Sequence, residues 1–318
     1  MTKRFASIWA AEFKAFLAFK HSLGYSYRQA EFTLRALDRF LIGHAHGVDY
    51  QHLDEAILSW MEQRPGRKPI SVSLELNIVR QFYAFLRRRG YKGLREPSWP
   101  KLRVSGDFVP YVLSIKEIMK LLHLTTTLTG PFRKITYRTL ILVLYCTGLR
   151  FGEALRLRLR DVDVARSLFF VVESKGRSRW VPYHASLCRE LKRYLVFRKS
   201  FAPSGPDDLF FVGANRTRLQ IPSASEVVRQ LLRTAGLKPA EGRTGPRPYD
   251  LRHAFAVHRL TRWYHEGVDL HSRLPWLSAY MGHDNLLGTE VYLSATPELL
   301  ALAGSRFRRR YMAAGRTL

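Results

Sequence analysis

The chain has 318 residues, 46% hydrophobic and 25% charged, a globular balance that excludes a disordered or collagen-like chain and suits about two domains. Fifty-two Lys and Arg against 26 Asp and Glu leave a formal charge of +26, which calls for a polyanionic partner such as nucleic acid or an anionic membrane surface. The membrane is the weaker choice, because the longest apolar run, Leu140 to Cys146, falls far short of the ~20 residues a spanning helix needs.

Lys3 and Arg4 ahead of aromatic residues imitate a signal peptide, but Glu12, Lys14 and Lys20 interrupt its apolar core, which argues against export. Two cysteines, Cys146 and Cys188, make no disulfide framework. The composition therefore points to a cytoplasmic, reduced protein that acts on nucleic acid, without a membrane partner.

Helical periodicity runs through the first hundred residues: Trp9, Phe13, Phe16 and Leu17; Ala30, Leu34, Leu37 and Leu41; Leu53, Ile57 and Trp60; Leu74, Ile78, Phe82 and Phe85. Four short helices predict a small bundle over residues 1–100. Its last helix stops at Arg87, Arg88 and Arg89 before Gly90, with cations at the carbonyl end and a glycine free to turn left-handed. Arg28, Arg35 and Arg39 share one face opposite the apolar stripe, either a solvated surface or one that tracks phosphates. Prolines at 97, 100 and 110 around Ser105-Gly106-Asp107 break the pattern, and a linker is expected at 101–111.

Residues 112–318 read as mainly helical with one small antiparallel sheet. Ile135 to Tyr145 is a strongly apolar helix that ends at Thr147-Gly148, and a further helix is expected from Arg150 through Leu157. Ser167 to Glu173 and Arg179 to Tyr183 form a hairpin across Ser174-Lys175-Gly176-Arg177-Ser178. Helices follow near 185–200, 223–235 and 249–264, then shorter ones over 271–303 broken at Gly282 and Pro297. Arg306 to Leu318 carries five arginines and no acid, a frayed tail or a helix that docks on another subunit.

Four separated clusters carry the candidate chemistry. The first is Thr147-Gly148-Leu149-Arg150 with Glu153 one helical turn on, spaced to pair with Arg150. The second is Lys175 before Gly176 at the hairpin tip. The third is Tyr249-Asp250-Leu251-Arg252-His253, and the fourth is Met281-Gly282-His283 with Tyr292 nine residues beyond the histidine. Each alone is unremarkable: Arg150 and Glu153 could be a surface salt bridge, Lys175 an exposed turn lysine, and His253 or His258 a packing histidine.

In this order the four clusters resemble the signature of the tyrosine recombinase, or phage integrase, family: T-G-L-R-x-x-E, a hairpin lysine, H-x-x-R-H, G-H and a tyrosine nine residues on. The resemblance covers essentially the whole catalytic half, and the helical N-terminal domain and proline-bearing linker fit less specifically. It implies an N-terminal helical core-binding, SAM-like domain at 1–100 and a catalytic domain at 112–318. It also implies strand exchange by two transesterifications: a tyrosine attacks the scissile phosphodiester, leaves a 3′-phosphotyrosyl link, and a 5′-hydroxyl of another strand then attacks that link. Arg150, Lys175, Arg252, His283 and Tyr292 are the implied catalytic residues, with Glu153 and His253 supporting.

The family's first histidine is replaced by Tyr249, a phenol and hence a poor base at neutral pH. Tyr249 is taken as a tolerated variant, the alternative being a weakened DNA-binding protein on the same scaffold. A type IB topoisomerase-like activity is a further alternative.

In this reading Arg150 and Arg252 pair with the phosphorane oxygens, since a guanidinium fork stays ionised and binds two oxygens, and His283 adds a hydrogen bond. Lys175 protonates the leaving 5′ oxygen. The arginines are expected to lower the pKa of Tyr292 from the ordinary value near 10. No histidine or cysteine cluster has metal-ligand spacing, so neither metal nor cofactor is expected. The resemblance further implies a homotetramer on two double-stranded DNA sites, alone or with other recombinases, exchanging C-terminal helices, associated with the nucleoid and serving integration, excision, transposition or resolution.

Overall fold

The computed structural model describes residues 5–43, 52–62, 66–67, 69–91, 94, 110–174, 177–242 and 244–294, with 173, 174, 177 and 294 described by backbone alone. Lys175, the tail from Arg306, Pro297 and most of the expected linker lie outside the described residues. The chain separates into two compact units, Met1–Phe108 and Val109–Leu318.

The N-terminal unit holds four helices: α1 (Ala10–Ser22), α2 (Arg28–Ile42), α3 (Leu53–Glu62) and α4 (Pro69–Arg88). Their apolar stripes meet in an aromatic core of Phe13, Phe16, Leu34, Ile57, Trp60 and Phe82. The rings of Phe13 and Phe82 lie 4.8 Å apart, and each such ring buries a large apolar area. Buried Asp38 on α2 accepts hydrogen bonds from the backbone N–H groups of Ala6 (2.9 Å) and Ser7 (3.0 Å), which fastens the segment before α1 to the bundle. On the opposite face Arg28 and Arg39 are exposed, whereas Arg35 is ion-paired with Glu31 one turn earlier. The expected three-arginine face is thus two exposed cations and one compensated one.

In the C-terminal unit, α5 (Ile115–Leu124), a helix additional to those expected from periodicity, opens with a Ser114–Glu117 capping box. The next helix, α6 (Pro131–Thr147), buries residues on every side, among them Ile135, Leu140, Ile141 and Leu144, as a core helix must. It packs against α8 (Ser186–Phe201) and α10 (Asp250–His265). Between α6 and α8 lie α7 (Phe151–Ala154) and a three-stranded antiparallel sheet of β1 (Val162–Asp163), β2 (Leu168–Ser174) and β3 (Arg177–Pro182), in that spatial order. The remaining helices are α9 (Ile221–Thr234), α11 (Leu270–Met281) and α12 (Leu287–Ser294). Among the described residues no helix is long and apolar enough to cross a membrane.

Two expectations need correction. The helix predicted from Arg150 through Leu157 is one turn, α7, because the backbone beyond it pairs elsewhere: Phe210 N donates to Leu157 O (2.8 Å) and Leu159 N to Asp208 O (2.9 Å). The sheet also gains a strand, β1, which pairs Val162 with Phe169. Two residues are too short for an alternating pattern to show.

Candidate active site

Gly148 ends α6 in the left-handed region (φ +61°), and a Cβ there would lie 2.4 Å from the Phe255 ring on α10. Only glycine lets the chain turn and pass so close. The turn delivers Arg150 to the start of α7 and aims the Gly148 carbonyl at α10, where it accepts from Arg252 Nη1 (2.5 Å). Glu153, fully buried, accepts from Arg150 Nη1 (2.7 Å) and from the Arg150 backbone N–H (2.9 Å). The predicted one-turn pair therefore forms, but in the interior rather than on the surface.

A third cation completes that pair. Arg179 on β3 donates through Nη2 to Glu153 Oε2 (2.9 Å) and through Nε to Tyr280 O (2.8 Å). The C-terminal end of α11 is where these side chains converge. Its carbonyls at Tyr280, Met281 and Gly282 accept from Arg179, from Arg252 Nη2 (2.8 Å) and from Arg150 Nη2 (2.5 Å), respectively. A helix end leaves carbonyls unpaired and carries partial negative charge, so three guanidinium groups satisfy it in both respects.

Gly282 turns the chain left-handed (φ +69°) with Arg179 so close that a Cβ would meet Nη1 at 2.7 Å. The turn leads into His283, whose Nδ1 lies 2.7 Å from the hydroxyl of buried Thr289. Tyr292 on α12 is 1% exposed, and its hydroxyl lies 2.9 Å from His253 Nδ1 on α10. The Tyr292 and His283 rings stack at 6.4 Å.

Three of the four distant clusters thus meet in one place, and the sequence profile of the phage integrase family matches residues 112–298. The chain belongs to the phage integrase family. It is 32% identical over 310 residues to the integrase/recombinase y4rE of Sinorhizobium fredii, covering 95% of this chain and 96% of that one. It is 29% identical to the tyrosine recombinase XerC of Oceanobacillus iheyensis, over 81% of this chain and 80% of that one. A Tn1549 transposon integrase in complex with transposon right end DNA has a similar structure, with a TM-score of 0.67 at 17% identity over 94% of this chain and 98% of that one. The chain is a site-specific tyrosine recombinase, an enzyme of DNA strand exchange.

Arg150, Glu153, Arg252, His253, His283 and Tyr292 of this recombinase lie together, whereas Lys175 lies outside the described residues. Tyr249, just before α10, stands at the edge of the group, 39% exposed, with its ring edge-on to His253 at 4.9 Å. Among the described residues no three His, Cys, Asp or Glu side chains gather as a metal site.

One electrostatic expectation is overturned. The Tyr292 phenol is pushed up to about 12, not down, because burial opposes the phenolate more strongly than Arg252 and Arg150 favour it. Burial likewise lowers the pKa of Arg252 and brings His253 down to about 4, so that its ring is neutral near pH 7.

Arg179 was missed in the sequence. The signal lay in the period-two pattern of β3, where Arg179 shares a face with buried Val181 while Trp180 points out to solvent. A cation on the inward face of a strand requires a buried partner, and Glu153 is that partner.

Proposed function

We propose that this recombinase breaks and rejoins DNA through a 3′-phosphotyrosyl intermediate on Tyr292. The phenol oxygen attacks the scissile phosphorus and the 5′ oxygen departs. The 5′-hydroxyl of a partner strand then attacks the tyrosyl link, so each bond broken is replaced by one of the same kind. The observation that carries this reading is the gathering of Tyr292, Arg252, Arg150 and His283 around the end of α11, with Arg150 brought from more than a hundred residues before the other three.

Arg150 and Arg252 stabilise the charge that builds on the non-bridging oxygens. Their forks are already held by carbonyls and by Glu153, which spares the reorganisation a flexible cation requires. Arg252 Nε is buried without a hydrogen-bond partner among the described residues. An unmet donor of this kind costs about 1–3 kcal/mol, and a phosphate oxygen would satisfy it. His283, steadied through Nδ1 by Thr289, donates to the same oxygens from Nε2, and Lys175 protonates the 5′ oxygen. Tyr249 lines the edge of the site as a hydrogen-bonding group.

The partner is double-stranded DNA, bound through the +26 charge and, in the N-terminal helical unit, through Arg28 and Arg39. Phosphate contacts of this sort make binding steeply salt-dependent; six to ten would lose roughly 10³–10⁵ in affinity between 50 and 200 mM salt. The working unit is a homotetramer on two DNA sites, within the cell and on the nucleoid.

A nicked suicide duplex tests the proposal. The wild-type protein should form an adduct that survives denaturant, and Tyr292→Phe should not. An adduct that persists in Tyr292→Phe, or none with wild type on a duplex it binds specifically, refutes it. Relaxation of supercoiled plasmid without any recombination site would favour the topoisomerase alternative.

A further inference from the structure

A phenol cannot attack phosphorus efficiently while it keeps its proton, and the proton needs an acceptor. The arginines cannot serve, since they are donors only. Glu153 is occupied by Arg150 and Arg179. His283 turns its Nδ1 to Thr289, and Tyr249 is itself a phenol. Among the described residues, the side chain able to accept that lies in hydrogen-bond contact with the Tyr292 hydroxyl is His253, at 2.9 Å through Nδ1, while Arg252 meets the hydroxyl as a donor.

His253 lies one residue past Arg252 and one turn past Tyr249 on α10, and is 7% exposed. Its other nitrogen, Nε2, lies 3.7 Å from Oδ1 of Asp250. Asp250 is buried and anchored by the backbone N–H of Arg247 (2.6 Å). A carboxylate on one side of an imidazole and a hydroxyl nucleophile on the other is the arrangement in which a histidine accepts a proton and is stabilised as it does so.

We propose that His253 is a catalytic residue of this recombinase, the general base that removes the Tyr292 proton, with Asp250 as the positioning residue behind it. In cleavage the Oη–P bond forms as the hydroxyl proton passes to His253 Nδ1. The P–O5′ bond breaks, and its electron pair leaves with the 5′ oxygen, which takes a proton from the leaving-group acid. In rejoining, the attacking 5′-hydroxyl returns its proton to that acid, and His253 returns its own to the departing phenolate. The neutral state of the buried ring leaves Nδ1 able to accept, and the negative charge of an arriving phosphodiester favours the imidazolium that results.

The inference rests on Tyr292 as the nucleophile. Its test is the single-turnover rate of adduct formation on a nicked suicide duplex carrying the sequence that the protein itself selects from a randomised library. His253→Asn keeps a hydrogen-bonding atom near Nδ1 but accepts no proton. It should bind the duplex like wild type and form adduct about 10²–10⁴-fold more slowly. Added imidazole should restore part of the rate of His253→Ala.

Wild type should also lose rate as pH falls through the titration of His253, a limb absent from His253→Asn. Among the described residues, the groups facing that ring include Asp250, Arg247, Arg252, Tyr249 and Tyr292. Wild-type rates in His253→Asn, with Tyr292→Phe dead, overturn the assignment to His253 and leave Tyr292 standing. Loss of the Tyr292 dependence overturns both. Nitrogen-labelled histidine NMR of the intact protein supplies a check without mutation: Nδ1 should be unprotonated and Nε2 should carry the hydrogen, and the opposite tautomer overturns the proposal.

Discussion

In the N-terminal unit Arg28 and Arg39 stand exposed on α2 and the core beneath is aromatic, whereas in the C-terminal unit Arg150, Arg179 and Arg252 turn inward onto the end of α11. The same residue type is used in two physical regimes. An exposed guanidinium interacts through water and counterions, so its effect is diffuse and salt-dependent. A buried one must be matched by a carboxylate or carbonyl, and once matched it is fixed in place where the dielectric is low. The first regime suits tracking a phosphate backbone, and the second suits holding charge at one phosphorus atom.

The largest test of the contrast is Glu153→Gln, which leaves Arg150 and Arg179 facing each other without their shared carboxylate. Breaking a buried pair costs about 3–5 kcal/mol, to be read from urea unfolding of the intact protein. Wild-type stability would mean that the site tolerates its cations without a counter-charge. Arg252→Lys is next: it keeps the charge but loses the fork that joins Gly148 O to Met281 O. Adduct formation should fall about 10²–10³-fold with duplex binding little changed.

The acid limb of stability separates the units further. Burial holds His253 at about 4 in the folded chain against 6.5 for an ordinary imidazole, so between those values the unfolded chain binds more protons. The stability due to the neutral ring is complete above about pH 6.5 and is lost as pH falls toward 4. It amounts to about 3 kcal/mol. Denaturant midpoints measured across that range should drop in wild type, and the drop should be smaller in His253→Asn. An equal drop in both would place the acid sensitivity elsewhere.

Most helices were legible because their apolar spacing is local, and α6 stood out for its long apolar run, whereas α5 was not anticipated. The single turn of α7 was not legible, since what stops it is a pairing with residues fifty positions away. The candidate residues stood out through the family resemblance of their clusters taken in order, and the left-handed turns at Gly148 before Arg150 and Gly282 before His283 fit the glycines within those clusters. Their electrostatics did not. Nearby arginines should acidify a phenol, but a sequence does not show that the carbonyls of α11 already occupy those cations or that the Tyr292 ring is buried. Arg179 escaped notice for a related reason: its role exists only because Glu153 and the end of α11 are brought to the same strand.

The smallest expected effect comes from α2, where two arginines that look alike in sequence differ in their surroundings. Arg39 is exposed, whereas Arg35 is already paired with Glu31 and lies over the Phe5 ring at 5.6 Å. If this face tracks phosphates, Arg28→Ala and Arg39→Ala should each weaken duplex binding uniformly across sequences and reduce the salt slope by about one. Arg35→Ala should change the slope less, because a guanidinium that already has a counter-charge releases fewer ions on meeting DNA. Binding measured from 50 to 200 mM salt for the three variants decides it. Equal slope changes for Arg35 and Arg39 would show that the Glu31 pair opens on DNA, and no change in any of the three would make this face a plain solvated surface.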